Sequence, residues 1–291
     1  MEPLEFSAPA SLDEALRLIA GSKAPVGLLS GGTDLIIQYR AGRRAFGHMV
    51  DLKKIPELNV LEYSEAQGLR LGAAVSCARL GEFAPAVRHY PALVGGAELI
   101  GSTQIQSRAG VGGNLCNGSP AGDSLCALLV LGAVCVIQGP QGRREVAARD
   151  FIVGPGKTVL TPGEILVEVR VPPPPPRSAS AYLRFIPRNE MDIAVAGAAA
   201  ALTLAADGKT VAAAAVAIGA VAPTPLLVEA AGRALVGQAV TAATLDAAAQ
   251  AASAAAQPIG DVRGPAEYRR HLAGVLTRRA VETALHRAQG R

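Results

Sequence analysis

Behind Ser11, the apolar residues Leu12, Ala15, Leu16 and Ile19 return every three or four positions, and Asp13, Glu14 and Arg17 fill the gaps. That spacing predicts an amphipathic helix. Ser11-Leu12-Asp13-Glu14 at its start is a capping box. A short apolar run at 26–29 then predicts a strand that enters Ser30-Gly31-Gly32, and 50–52 predicts another. Residues 59–63 and 69–73 pattern as two strands joined by a polar turn, and 77–86 as a helix. Runs at 133–138 and 144–147 flank Gly139-Pro140-Gln141-Gly142, which predicts a hairpin. Residues 165–171 alternate as a final strand.

The run VPPPPPRSAS at 171–180 interrupts this pattern. Five prolines continue neither a helix nor a central strand. They form a semi-rigid spacer of about 15 Å. The chain is therefore divided into units 1–173 and 178–291. In the second unit, alanine-rich runs at 194–206 and 210–220 flank Asp207-Gly208, a hairpin signal. Periodicity alone does not separate strand from helix in such runs. Helical patterns follow at 226–236, 242–256 and 266–288, the last with Tyr268, Leu272, Val275, Leu276, Arg279 and Leu285 on repeating turns. No internal repeat is evident.

A chain of 291 residues, half of them hydrophobic, suits two modest domains with sizeable cores. Aromatics make up only 3% and Trp is absent, so alanine and branched aliphatics must fill those cores. The net charge of +4 is scattered and not interleaved with aromatics, which argues against nucleic acid. No apolar run reaches the roughly 20 residues of a membrane span. MEPLEFSAPASLDEA lacks the basic and apolar regions of a secretory signal. A soluble, cytoplasmic protein is expected. Cys77, Cys116, Cys126 and Cys135 show no paired spacing and no histidine at ligand distance, so they are expected as buried reduced thiols. His48, His89, His271 and His286 sit among polar neighbours and are expected at the surface.

Two glycine-rich segments carry the candidate chemistry: LLSGGTDL at 28–35 and GVGGN at 110–114. Successive N–H groups in such turns can converge on an anion, and glycine allows close approach. Either segment alone is equally a tight turn. Neither is a dinucleotide fingerprint, because Leu115 stands where the third glycine belongs. Gly156-Lys157-Thr158 lacks the upstream glycine of a P-loop, Phe151 standing there. A nucleophile elbow at Ser119 fails at Asn117. No triad or acid–base pair is apparent. Phosphate-capable loops without proton-transfer machinery favour a protein that holds a cofactor whose own chemistry does the work.

The segments LLSGGTDL, GVGGNLCNGSPAGD, FIVGPGKTVLTPGEILVEVRVP and RFIPRNEMDIAVAGAAAAL occur in this order along the chain. Together they resemble the FAD-binding medium subunits of the molybdenum hydroxylases, the family of the carbon monoxide and xanthine dehydrogenase flavoprotein subunits. The resemblance spans essentially the whole chain. It implies an α+β fold of the vanillyl-alcohol-oxidase (PCMH) type: a FAD-binding domain of two subdomains, then a small C-terminal α+β domain. It implies that Ser30, Gly31, Gly32, Thr33 and Asp34, with Gly110, Val111, Gly112, Gly113 and Asn114, hold the FAD diphosphate. Gly112 and Gly113 would make room for it. Leu29, Leu35 and Cys116 would complete those loops. Asp123 would accept from sugar or ribityl hydroxyls, or cap the helix it precedes. Ile165 and Leu166 would contact the adenine end, and Arg184 would be a basic cofactor contact. Ile100 and Ile193 would flank the flavin ring; xanthine dehydrogenases carry an aromatic residue at the first. Phe151, Gly154, Lys157 and Thr158 would be structural support.

The chain lacks the cysteine-rich insertion that carries a 4Fe-4S cluster in some relatives, and it lacks an evident histidine tether. Non-covalent FAD and no cluster of its own are therefore expected. The resemblance implies an electron-transfer role. Electrons from a molybdenum–pterin centre in a large subunit would pass through 2Fe-2S clusters in a small subunit to this FAD, then to an external acceptor. Two such trimers would form a heterohexamer. The alternatives are a stand-alone flavin-dependent oxidoreductase and a non-enzymatic structural subunit.

Overall fold

A computed structural model of the chain describes residues 4–189 and 191–290. The first three residues of the N-terminal segment, Glu190 within the fourth family segment, and Arg291 lie outside the described residues.

The chain opens with β1 (Glu5–Ser7), α1 (Leu12–Gly21), β2 (Val26–Leu29), α2 (Leu35–Arg40) and β3 (His48–Asp51), forming a parallel sheet of order β1-β3-β2. The Ser11 side chain accepts from the Glu14 N–H, as the capping box predicts. The Glu14 carboxylate reaches back to the N–H of Ala10 rather than Ser11, at 2.8 Å. His48 departs from expectation. It is only 2% exposed, because it lies on the central strand of this sheet, and its Nε2 sits 3.0 Å from Ser7 Oγ.

A single turn of 3₁₀ helix, Pro56–Asn59, leads to β4 (Leu61–Ser64) and β5 (Gly68–Gly72). Next come α3 (Cys77–Glu82), α4 (Ala84–His89), α5 (Pro91–Glu98), α6 (Thr103–Gln106), α7 (Val111–Asn117) and α8 (Leu125–Val130). The one helix expected over 77–86 is two, because the chain leaves helical geometry at Phe83 and Pro85 restarts it in the first turn of α4. The unit continues with β6 (Val134–Gly139), β7 (Gly142–Ala147), α9 (Ala148–Phe151), β8 (Ile152–Gly154), β9 (Lys157–Thr158) and β10 (Ile165–Val171). The antiparallel sheet has the order β4-β5-β10-β6-β7, so its last strand in sequence lies at its centre.

β10 joins two cores. A bulge lies between Leu166 and Glu168. One extra residue inverts the side-chain alternation. Ile165 and Val167 pack with Leu12, Ala15 and Val50, whereas Leu166, Val169 and Val171 pack with the cluster around α3, α5 and α8.

After the prolines come β11 (Ser178–Phe185), β12 (Ala196–Leu204), β13 (Val211–Gly219), β14 (Leu226–Leu227), α10 (Glu229–Arg233), α11 (Ala242–Ala255) and α12 (Ala266–Ala288). The alanine runs are indeed a hairpin, in an antiparallel sheet β11-β12-β13-β14. β11 is not distinguished in the sequence, and the helix expected over 226–236 shrinks to α10 behind a short strand. Both faces of β12 are buried. Ala198, Ala200, Leu202 and Leu204 share a core with α11 and α12, while Ala199 joins the cluster that contains α5 and α8. Small side chains let helices lie close on both faces. A Cβ on Gly219, for example, would meet Cys126 Sγ at 2.7 Å.

Tyr90 fixes the start of the proline strap. Its buried hydroxyl donates to the carbonyls of Val171 at 3.3 Å and Pro172 at 3.0 Å. Tyr90→Phe leaves those carbonyls without this donor, and each net bond contributes about 1 kcal/mol. Urea denaturation is expected to show a loss of about 1–2 kcal/mol with an unchanged m-value; a loss within error of zero contradicts the anchor.

Candidate functional site

A cleft of about 760 Å³ runs between the parallel sheet and the β4–β10 unit. Both glycine-rich segments open onto it. At the end of β2 the chain turns through residues 30–34 into α2, with Gly32 at φ +78°. Among the described residues, the N–H groups of 31–35 find no protein acceptor; the first helical bond runs from Ile36 N to Gly32 O. The second segment is not the loop its sequence suggests. Gly110 is the N-cap of α7, and the N–H groups of Val111, Gly112 and Gly113 form its open first turn. Two rows of unpaired donors thus border one cleft. That is a setting for a diphosphate, since the donors carry partial positive charge and need no rearrangement. Arg44 lines the same cleft.

The glycines divide into two roles. A Cβ on Gly31 would lie 2.3 Å from the Arg108 carbonyl oxygen, one on Gly110 would lie 2.4 Å from Val75 O, and one on Gly112 would lie 2.5 Å from Ala73 O. These three let backbone pack on backbone, and Gly112 does so while also lining the cleft. Gly113 alone of this group faces open space, with nothing within 4 Å of its Cβ position. Ser30 Oγ donates to Ala73 O at 3.4 Å, so both segments meet on residues 73–75.

Of the residues implied by resemblance, Ser30, Gly31, Gly32, Thr33, Asp34 and Leu35 line the cleft. So do Ile100, Gly110, Gly112, Gly113, Asn114, Cys116, Ile165 and Leu166. Thr158 of the supporting group lines it as well, while Phe151 is fully buried. Leu29 and Val111 do not line it; they are buried behind the two segments. Ile193 lies outside the cleft, 52% exposed in the loop between β11 and β12, so it forms no second wall here. Asp123 and Arg184 lie outside the cleft wall. They form a buried pair at 2.6 Å, with side chains only 9% and 6% exposed, and Asp123 takes a further bond from the Tyr182 hydroxyl at 2.9 Å. Asp123 makes no cap for α8. Burial pushes its carboxyl up to about 6, opposed by Arg184 and Tyr182. The pair reaches the cleft indirectly: neighbouring Ser124 donates to Asn114 Oδ1 at 2.8 Å.

The sequence reading missed the cleft's apolar end. Leu16 and Ile19 of α1, Leu28, Leu52 and Leu58 line it, with Pro140, Leu160 and Pro162. In sequence these are ordinary core positions, and only the fold brings them to the cleft wall, Leu52 and Leu58 while still buried. Arg44 had a faint signal in the basic cluster Arg40, Arg43 and Arg44.

Few titratable groups reach the cleft. Cys116 lies there as a free thiol, and burial pushes it up to about 12, so it stays protonated. Cys77, Cys126 and Cys135 are buried, free, and raised to about 12 for the same reason. Glu164 at the rim takes two bonds from Arg144, at 2.6 and 2.8 Å, and one from Thr161 N at 2.7 Å. The Arg144 guanidinium is the main reason its carboxyl falls from 4.5 to about 2. Among the described residues no group of three or more His, Cys, Asp or Glu is disposed to hold a metal ion, and no helix is long and apolar enough to cross a membrane.

Two predictions follow from this geometry. Gly112→Ala drives a methyl into the Ala73 backbone and is expected to cost about 1–3 kcal/mol of stability. Gly113→Leu points into the cleft and is expected to leave the thermal midpoint within about 2 °C; equal destabilisation by both contradicts the division of roles. Glu164, whose folded-state pKa is depressed, contributes stability that is complete above pH 4.5 and fades as the pH falls toward 2. The stability gap between wild type and Glu164→Gln is therefore expected to narrow over that window in pH-dependent urea titrations. A pH-independent gap refutes the assignment.

Comparison with known proteins gives this geometry its family. Residues 2–174 match the FAD binding domain in molybdopterin dehydrogenase, and residues 181–284 match the CO dehydrogenase flavoprotein C-terminal domain. The carbon monoxide dehydrogenase medium chain of Afipia carboxidovorans is 37% identical over 98% of both chains. A putative xanthine dehydrogenase FAD-binding subunit of Escherichia coli K12 is 34% identical over 97% of this chain and 96% of that one. Among solved structures, a chain of carbon monoxide dehydrogenase from Hydrogenophaga pseudoflava superposes with a TM-score of 0.93, at 33% identity over 98% of each. The α+β fold expected from the resemblance is the fold observed. The chain belongs to the FAD-binding medium subunits of the molybdenum hydroxylase family, oxidoreductases of the carbon monoxide and xanthine dehydrogenase type.

Proposed function

We propose that this chain carries non-covalent FAD as the electron-transfer subunit of a cytoplasmic molybdenum-containing hydroxylase. It takes electrons from 2Fe-2S clusters of a small subunit, itself fed by a molybdenum–pterin large subunit, and passes them to an external acceptor. Two such trimers pair into a heterohexamer. Residues 1–173 form the FAD-binding unit and 178–291 the second unit.

The observation that carries the reading is the convergence of two rows of unpaired N–H groups, at 31–35 and 112–113, on one cleft. Its 760 Å³ lies within the range of cofactor sites, about 300–1,000 Å³. The empty space at the Gly113 Cβ position fits a group laid against the backbone. In this reading the N–H groups bind the FAD diphosphate and Arg44 adds charge. Ile165 and Leu166, with the apolar end of the cleft, exclude water from the adenine end, and Ile100 packs on the flavin ring. Leu29 and Val111 support the two segments from behind. The Asp123–Arg184 pair acts through Ser124 to orient Asn114. FAD, when bound, supplies redox chemistry able to exchange electrons with both a cluster and a diffusing acceptor.

A stand-alone flavin oxidoreductase needs a proton-transfer group tuned near neutral pH. Glu164 is held near 2 and Cys116 near 12, so neither serves, whereas burial raises the Asp34 carboxyl at the cleft. Family membership, rather than the lack of such a group, favours the relay.

The test is an absorption spectrum of the purified chain after FAD addition and gel filtration. The expected result is a retained flavin spectrum whose chromophore separates from the protein on denaturation. The folded Gly113→Leu variant is expected to retain none. Full flavin occupancy in that variant, or a colourless wild type even when purified with its partner subunits, refutes the reading.

A further inference from the structure

A second cleft, of about 710 Å³, shares no lining residue with the first. One wall is the proline strap at 173–176; the others come from Tyr63 of β4 and Glu65 just after it, Arg88 and His89 at the end of α4, and Arg287 of α12. Three arginines, Arg88, Arg177 and Arg287, line it with a single carboxylate residue, Glu65. Among the described residues, Arg88 and Arg177 make no salt bridge or side-chain hydrogen bond, and Arg287 donates only to the Ser180 carbonyl, at 2.8 Å. All three arginines are exposed, so their charge is offered to solvent and to a partner.

The strap adds a second feature. Prolines offer no N–H, and among the described residues the carbonyls of Pro173, Pro174 and Pro176 have no hydrogen-bond partner. The strap is thus an extended row of acceptors, anchored at one end by Tyr90 and stiffened by its rings. The stacked rings of Tyr63 and His89, 4.7 Å apart, form a flat wall. At the far end of the strap Arg177 adopts φ +57°, a left-handed conformation that glycine takes without strain and arginine does not. The chain carries a cation at a position where its backbone favours glycine.

We propose that this cleft is a docking groove for an extended acidic segment of a partner subunit. Carboxylates of that segment pair with Arg88, Arg177 and Arg287, and its backbone N–H groups donate to the free proline carbonyls. Charge complementarity favours an acidic occupant, and the stiff strap limits the ordering that binding requires. The proposal rests on the multi-subunit reading above.

The test uses the full chain loaded with FAD and a fluorescent hexaglutamate peptide, followed by anisotropy at low salt. Wild type is expected to bind. Arg88→Glu is expected to weaken binding by about tenfold or more. Arg177→Gly relieves the left-handed strain, so its melting temperature is expected to hold or rise while peptide binding falls. In parallel, the chain is co-expressed with the large and small subunits. The Arg88→Glu complex is expected to dissociate at about tenfold higher protein concentration with its FAD retained. Hexaglutamate binding equally to wild type and both variants overturns the proposal, as does its displacement by equimolar AMP, which marks a small-molecule site instead. Normal assembly of Arg88→Glu overturns the groove and leaves the multi-subunit reading standing. A flavin-loaded wild type that assembles with no partner overturns that reading, and the groove's occupant with it.

Discussion

The candidate site depends on backbone meeting backbone where side chains are absent. Gly31 lies against the Arg108 carbonyl, and Gly110 and Gly112 lie against residues 73–75, all closer than any Cβ permits. Ser30 reaches Ala73 as well. The turn after β2 and the start of α7 are 75 or more residues apart in sequence, yet this contact brings their unpaired N–H groups to one cleft. Once the backbones touch, the donors are fixed by the chain itself rather than by flexible side chains. That is the preorganisation an anionic cofactor needs, since nothing has to be ordered when it arrives.

The rest of the fold holds that contact in place. β10 runs through the centre of its sheet, and its bulge sends alternate side chains into two cores, so the parallel sheet and the helical layer are tied to one strand. The alanine-rich hairpin works by smallness. With little side-chain volume on either face of β12, α8 approaches from one side and α12 from the other, and the C-terminal sheet shares a core with the FAD-binding unit through Tyr182, Ala199 and Ala217. The scarcity of aromatics is the compositional trace of this close layering.

Polar groups are placed on the same plan. The Asp123–Arg184 pair is buried where β11 meets the end of the GVGGN region, and Tyr182 adds a further bond. Burial raises the Asp123 pKa, and the guanidinium opposes that rise. Replacing such a pair with apolar residues often costs little, whereas removing one partner strands a charge. Its visible role is geometric: it connects the C-terminal sheet through Ser124 to Asn114 at the cleft.

The sequence by itself determined the family, the order of most elements and the two glycine-rich borders of the cleft. Glycine runs, proline runs, caps and Asp-Gly turns act locally, and the four family segments stand in order along one chain. It also singled out Gly112 and Gly113 together, without separating their surroundings. Only the tertiary structure separated a glycine that packs from a glycine that opens space, because the difference lies in what stands opposite, Ala73 or nothing. It turned the 110–114 loop into a helix start, buried His48 on a central strand, and paired Asp123 with Arg184 across 61 residues. It also left Leu16, Ile19 and Leu58 lining the cleft, although their periodicity is that of core. Each of these depends on neighbours distant in sequence, and hydrophobic spacing records which face of an element is apolar but not what will cover it.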